Sequence, residues 1–175
     1  NDIIEVNHIL ETLEKKRVFK ISGGLYHETQ VRLTYNSNHI EGSRLTQEQT
    51  RYIFETNTIS ITDEAVKIDD IVETTNHFRC IDYIIDHAFD RLTEAMIKQL
   101  HLLLKSGTSD SLKSWFKVGD YKKLPNEVGG NETCPPEKVH EKMAALLKSY
   151  NAKTPVTLED IIDLHCQFER IHPFQ

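Results

Sequence analysis

Apolar residues recur at intervals of three and four along most of the chain, the spacing of one helical face. Ile3, Val6, Leu10 and Leu13 trace the first such stripe, with Asp2 placed to cap it and Gly23-Gly24 to break it. A second helix is expected from about His27 to Glu41, stopped by Gly42. Thr46, followed three residues later by Gln49, is a capping box that opens a third. Ile71, Val72, Thr75, Phe78, Ile81, Ile85 and Phe89 share one side of a long fourth helix over 68–89. Thr93 opens a fifth, carrying Ile97, Leu100 and Leu104 and fraying at Ser106-Gly107.

Between Trp115 and Thr133 the helical period is lost, and Gly119, Pro125, Gly129 and Gly130 punctuate the stretch. It reads as a short hairpin or extended flap, with no strong two-residue turn signal to set its register. Pro135-Pro136 starts a helix that runs through Tyr150, with proline in its first turn. The last helix begins near Thr157, boxed by Asp160, and ends by His172, because the residue before a proline avoids the helical region. The fold class expected is all-α, about seven helices with one small β-hairpin. No repeat, low-complexity tract or linker interrupts it.

Composition supports a packed domain. The 175 residues are 38% hydrophobic and 27% charged, with only seven glycines and five prolines, enough to bury a core and not a disordered composition. A formal net charge of −6 argues against a broad basic face, so no nucleic-acid partner is expected. Cys80, Cys134 and Cys166 are scattered, which suits a reducing, cytoplasmic setting better than a disulfide framework. No stretch reads as a signal peptide or a membrane span, so no membrane partner is expected. The chain starts with Asn1 and not Met, which leaves open what precedes it.

The final helix carries the candidate chemistry. Ile161, Leu164, Phe168 and Ile171 form its core stripe, and His165, Glu169 and His172 step by four and three along the adjoining strip. Two imidazoles and a carboxylate in a row raise a metal site and a metal-dependent hydrolase as one alternative. The segment "HCQFERIH" does not match the zinc pattern H-E-x-x-H, so no metal ligand is assigned. A plain polar helix edge, in a non-catalytic interaction module, is a second alternative. His172 stands apart because it sits at an elbow. The helix's negative end favours its protonated form, so a general base there needs a pocket that keeps it neutral.

"LHCQFERIHPFQ", Leu164 to Gln175, resembles the opening of the Fic-family signature, H-P-F-x-[DE]-G-N-G-R-x-x-R. "SNHIEG", Ser37 to Gly42, is similar to the [ST]-x-x-x-E-[GN] inhibitory helix of self-inhibited members. "GDYKKLPNEVGGNETCPPEKV", from Gly119, looks like the family's G-x-Y-[RK] element and target-holding flap. The resemblance implies a Fic-like helical bundle forming a single domain over 1–175. Residues 1–60 hold the N-terminal helices, including an inhibitory helix at about 27–42. Residues 61–175 form a core that is incomplete after Gln175, because the acidic residue, the G-N-G and both arginines of the signature are absent. It also implies transfer of AMP from ATP, with Mg²⁺, to a Ser, Thr or Tyr hydroxyl of a protein substrate, another protein or the chain itself. His172 is then the base, with Pro173 and Phe174 structural. Ser37, Glu41 and Gly42 are inhibitory, and Lys123, Leu124, Pro125 and Asn126 hold the target. A piece lacking the rest of the signature is expected to transfer little or no AMP, and to favour a homodimer.

Overall fold

The computed structural model describes residues 2–19, 22–61 and 65–175, with no account of the side chains of residues 2–6. The elements are α1 (Asp2–Phe19), α2 (Leu25–Ile40), α3 (Gln47–Thr56), α4 (Ile68–Asp86), α5 (Glu94–Lys105), a 3-10 turn at Asp110–Leu112, β1 (Glu127–Val128), β2 (Asn131–Glu132), α6 (Pro136–Asn151) and α7 (Leu158–Ile171). The fold is all-α with one two-stranded hairpin. Among the described residues no helix is long and apolar enough to cross a membrane. Two compact units divide the chain, Asn1–Phe89 and Asp90–Gln175. The break falls at residue 89, because α4 packs on α1, α2 and α3.

In the first unit, Leu10, Tyr26, Ile81 and Ile85 form one buried cluster, and Leu45, Ile53 and Phe78 another. Phe54 packs on both, its ring 5.0 Å from Phe78 and 6.1 Å from Tyr26. The inward face of α2 is largely polar. Gln30, Thr34 and Asn38, one turn apart, are buried against α4. Gln30 Nε2 donates to Tyr26 Oη, to the Phe78 carbonyl and to Asp82, at 3.1–3.2 Å. Thr34 Oγ1 bonds His77 Nδ1 at 2.9 Å, and Asn38 Nδ2 donates to Thr74 Oγ1 at 3.0 Å.

The capping box of Thr46 and Gln49 forms as expected. Two helix ends differ from expectation. Asp2 is already helical, so it is a first-turn residue and not a cap; the side chains of Ile3 and Val6 lie outside the described residues. Helix α4 ends at Asp86, and Phe89, assigned to its apolar stripe, is 78% exposed beyond the helix.

In the second unit, Tyr121, Val139, Met143, Leu146 and Ile171 form the buried core, flanked by Ile97, Leu164, Phe168 and Phe174. The stripe of α7 is therefore as read from its spacing, except that Ile161 is exposed. Thr157 and Asp160 close the second capping box, and Pro136 occupies the first turn of α6. The hairpin pairs Glu127 with Glu132 and Val128 with Asn131 across Gly129 and Gly130, whose φ angles are +59° and +79°. Two residues at positive φ make the mirror-image turn whose twist suits a hairpin. Gly-Gly was thus a sufficient two-residue signal, contrary to the expectation that none set the register. Lys123 to Asn126 precede the strands and do not form them.

Candidate functional site

The chain leaves α7 abruptly. The His172 amide still donates to the Phe168 carbonyl at 2.9 Å, but its own backbone takes φ 46° and ψ 67°, the left-handed region. Pro173 bars the right-handed helical conformation to the residue before it. The expected helix end is observed, but by a sharper route than extended backbone. A non-glycine residue held there costs on the order of 1–3 kcal/mol and persists only where its surroundings impose it.

Those surroundings are specific. Pro173 is fully buried, and its carbonyl accepts the Lys122 amide at 2.9 Å. The Phe174 carbonyl accepts from Asn126 Nδ2 at 3.0 Å, and Gln175 Oε1 accepts the Leu124 amide at 3.3 Å. The Phe174 ring lies 4.1 Å from the His101 ring and nearly parallel to it, with Tyr121 and Phe168 at 5.6 and 6.5 Å. The segment 121–126 is thereby laced to 171–175.

Three charged or titratable groups frame this elbow. His101 Nδ1 accepts the Gly119 amide at 2.9 Å, which puts the proton of the neutral ring on Nε2. That Nε2 is buried and has no partner among the described residues. Burial, helped by Lys105, lowers the His101 pKa to about 4, so the ring is neutral at pH 7. The Lys122 ammonium is buried as well, donating to Asn126 Oδ1 at 2.7 Å, Thr133 Oγ1 at 2.6 Å and the Ile171 carbonyl at 3.4 Å. Burial lowers its pKa. Partial burial would raise the Asp120 carboxyl, but Lys98 at 3.0 Å and Lys123 at 3.2 Å bring it down to about 2.

The sequence-derived candidates fall into two groups. His172, Pro173, Phe174 and Lys123 to Asn126 all lie in the second unit. The His172 ring is half-buried and makes no hydrogen bond among the described residues. Lys123 pairs with Asp120 at the surface, and Asn126 bonds Lys122 and the Phe174 carbonyl. Leu124 and Pro125 are exposed. Ser37, Glu41 and Gly42 lie in the first unit at the end of α2. The Ser37 carbonyl accepts the Glu41 amide at 3.3 Å, Glu41 caps the helix and is exposed, and Gly42 takes φ +93°, where a side chain is strained.

The metal strip does not assemble. His165 and Glu169 are exposed, and the backbone turn at His172 ends the helical spacing that placed it beside them. Among the described residues no group of three or more His, Cys, Asp or Glu could hold a metal ion. Two residues escaped sequence reasoning. Lys122 belongs to the matched G-x-Y-[RK] element, but lysine reads as surface; His101 lies one turn beyond Ile97 on the inward side of α5.

The family model for Fic/DOC matches residues 91–175, the second compact unit almost from its start. This stretch belongs to the Fic/DOC family. A Fic-domain-containing signalling protein of Bacteroides thetaiotaomicron VPI-5482 superimposes with a TM-score of 0.72 at 28% identity, over 99% of this chain and 66% of its own. A Fic family protein of Desulfovibrio desulfuricans G20 gives 0.70 at 22% identity, over 98% and 52%. Fic-1 (aa134–508) of C. elegans gives 0.65 at 17%, over 99% and 54%. The last two show the fold alone. The chain spans from about half to two thirds of the length of these Fic structures. No curated protein matches it.

Proposed function

We propose that this Fic/DOC segment is the catalytic half of a protein adenylyltransferase with His172 as general base. The family generally carries AMP transfer or related transferase activity. The observation that carries the reading is the His172 elbow: an imidazole without a hydrogen bond among the described residues, on left-handed backbone held by bonds on both sides. A ring carried on backbone held in this way, with no partner of its own among the described residues, is available to accept a proton.

In the reaction, the substrate hydroxyl of a Ser, Thr or Tyr gives its proton to His172 as its oxygen attacks the α-phosphorus of ATP. The bond from that phosphorus to the bridging oxygen breaks, and pyrophosphate leaves. Mg²⁺ would neutralise charge on the phosphates, and among the described residues no group of three or more His, Cys, Asp or Glu is placed to hold it. The exposed hairpin, with Leu124 and Pro125 ahead of it, is suited to pair with an extended target segment. Glu41, exposed at the end of α2, is the residue to which the reading assigns inhibition.

Labelled ATP tests the reading in the full-length protein. His172→Ala should cut labelling of protein by about 10²–10⁴-fold, the usual worth of a general base. Glu41→Gly should raise it. Labelling by His172→Ala at the wild-type rate would refute the assignment.

A further inference from the structure

Lys122 is 3% exposed, yet no carboxylate pairs with its ammonium among the described residues. Its partners are an amide oxygen, a hydroxyl and a backbone carbonyl, all neutral. Such a buried charge is expensive, and a well-packed apolar side chain of similar volume generally serves stability as well or better. The charge therefore calls for a reason other than packing.

Its bonds supply one. The Lys122 ammonium reaches the carbonyl of Ile171, at 3.4 Å, and the Lys122 amide reaches the carbonyl of Pro173, at 2.9 Å. These carbonyls flank His172, the only described residue outside α3's left-handed cap, Asn57, that combines a side chain with positive φ. One residue thus grips the chain before and after the strained position. The other two bonds of the ammonium anchor it to Asn126 and Thr133, which are themselves joined, the Thr133 amide donating to the Asn126 carbonyl at 3.2 Å. These residues bracket the hairpin, one ahead of β1 and one just after β2. The hairpin base and the α7 elbow are therefore braced by the same side chain.

We propose that Lys122 is a positioning residue, whose grip on the carbonyls of Ile171 and Pro173 holds His172 in its left-handed conformation and sets the ring for proton transfer. The kinetic part rests on the adenylyltransferase reading; the conformational part does not. Lys122→Met keeps length and apolar bulk and removes the donors of the ammonium. Displacing a base by about 1 Å can cost about a hundredfold.

The test uses the full-length protein with ¹³C,¹⁵N-labelled histidine, with Lys122→Met and Lys122→Arg as variants. Lys122→Met should move the His172 backbone carbon shifts from left-handed towards extended values. It should also lower kcat for AMP transfer by about ten- to a hundredfold with KM for ATP within about twofold, since the ring is misplaced and not the nucleotide. Lys122→Arg, which restores donors to the Ile171 carbonyl, should recover the His172 shifts and most of kcat. A folded Lys122→Met protein with unchanged His172 shifts overturns the proposal, as does one whose KM rises while kcat holds. Should Lys122→Met fail to fold, Thr133→Val removes one anchor of the ammonium and must shift His172 in the same direction; a folded Thr133→Val protein with wild-type shifts also overturns it. If the wild type transfers no AMP, the catalytic reading fails while the His172 shifts still judge the grip.

Discussion

The two compact units bury polar groups in opposite ways. In Asn1–Phe89 the buried polar side chains of α2 form a seam along α4, with Asn38 on Thr74, Thr34 on His77, and Gln30 on Tyr26 and the Asp82 carboxylate. In Asp90–Gln175 the helices close over an apolar cluster, and two of the buried polar side chains, Lys122 and His101, lie against the segment that ends α7. They are a lysine whose ammonium meets no carboxylate among the described residues and a histidine stacked on Phe174, whereas the unpartnered buried atoms are shared between the units: His101 Nε2 here, His27 Nδ1 and Gln30 Oε1 in the first. The first arrangement fixes the rotation of α2 about its axis, because Gln30, Thr34 and Asn38 each bond a group on α4. The second adds little to stability for what it buries, and it surrounds a residue with strained backbone. Polar groups that stabilise poorly and cluster at a strained position mark function more reliably than polar groups that merely pair.

The largest expected test of this contrast is acid. His101 titrates at about 4 in the folded chain, against an ordinary value of 6.5. The unfolded chain therefore binds the proton first as pH falls, and stability drops between pH 6.5 and 4, levelling off below. The interval corresponds to on the order of 3 kcal/mol at most. Burial also lowers His77 in the first unit, so it adds loss of the same sign. His101→Phe should flatten the acid slope of the urea midpoint without abolishing it. An unchanged slope would mean that the buried ring takes up its proton without strain.

A middle-sized effect separates pairing from packing in the first unit. Asn38→Leu leaves the buried Thr74 hydroxyl without its donor and should cost about 1–3 kcal/mol in urea unfolding. Adding Thr74→Val should recover much of that loss, because both ends of the bond are then apolar. If the double variant is as unstable as the sum, the seam contributes more than matched neutral pairs, and its contrast with Lys122 weakens.

Local chemistry was the most legible part of this molecule. Thr46, Thr93 and Thr157 each accept the bond expected of an N-cap, since capping needs only residues three apart. Apolar spacing located α4 to α7, but carried α4 on to Phe89 because an exposed phenylalanine looks like a core one in sequence. It had less purchase on α2, whose buried face is Gln30, Thr34 and Asn38. At the elbow the motif marked His172, Pro173 and Phe174. It could not mark the brace: the burial of Lys122 comes from Ile171, Asn126 and Thr133 converging on it, and none of these is its neighbour in sequence. Nor could spacing show that Lys123 and Asn126 are engaged within the unit.

The smallest effect is the sharpest control, because each unit contains the same device. The boxes of Thr46 with Gln49 and of Thr157 with Asp160 are both complete. Thr46→Ala and Thr157→Ala should each cost about 1 kcal/mol, the ordinary worth of a cap. The boxes share no partner, so the double variant should lose the sum. Thr157 and His172 cap opposite ends of α7, 14 residues apart in helix length, so the two ends are coupled only as far as α7 behaves as a rigid rod. Histidine-labelled spectra decide that: Thr157→Ala should leave the His172 shifts in place while Lys122→Met moves them. Movement in both would mean that the elbow answers to the stability of α7 as a whole, and that what holds it is spread along the helix and not concentrated in the brace.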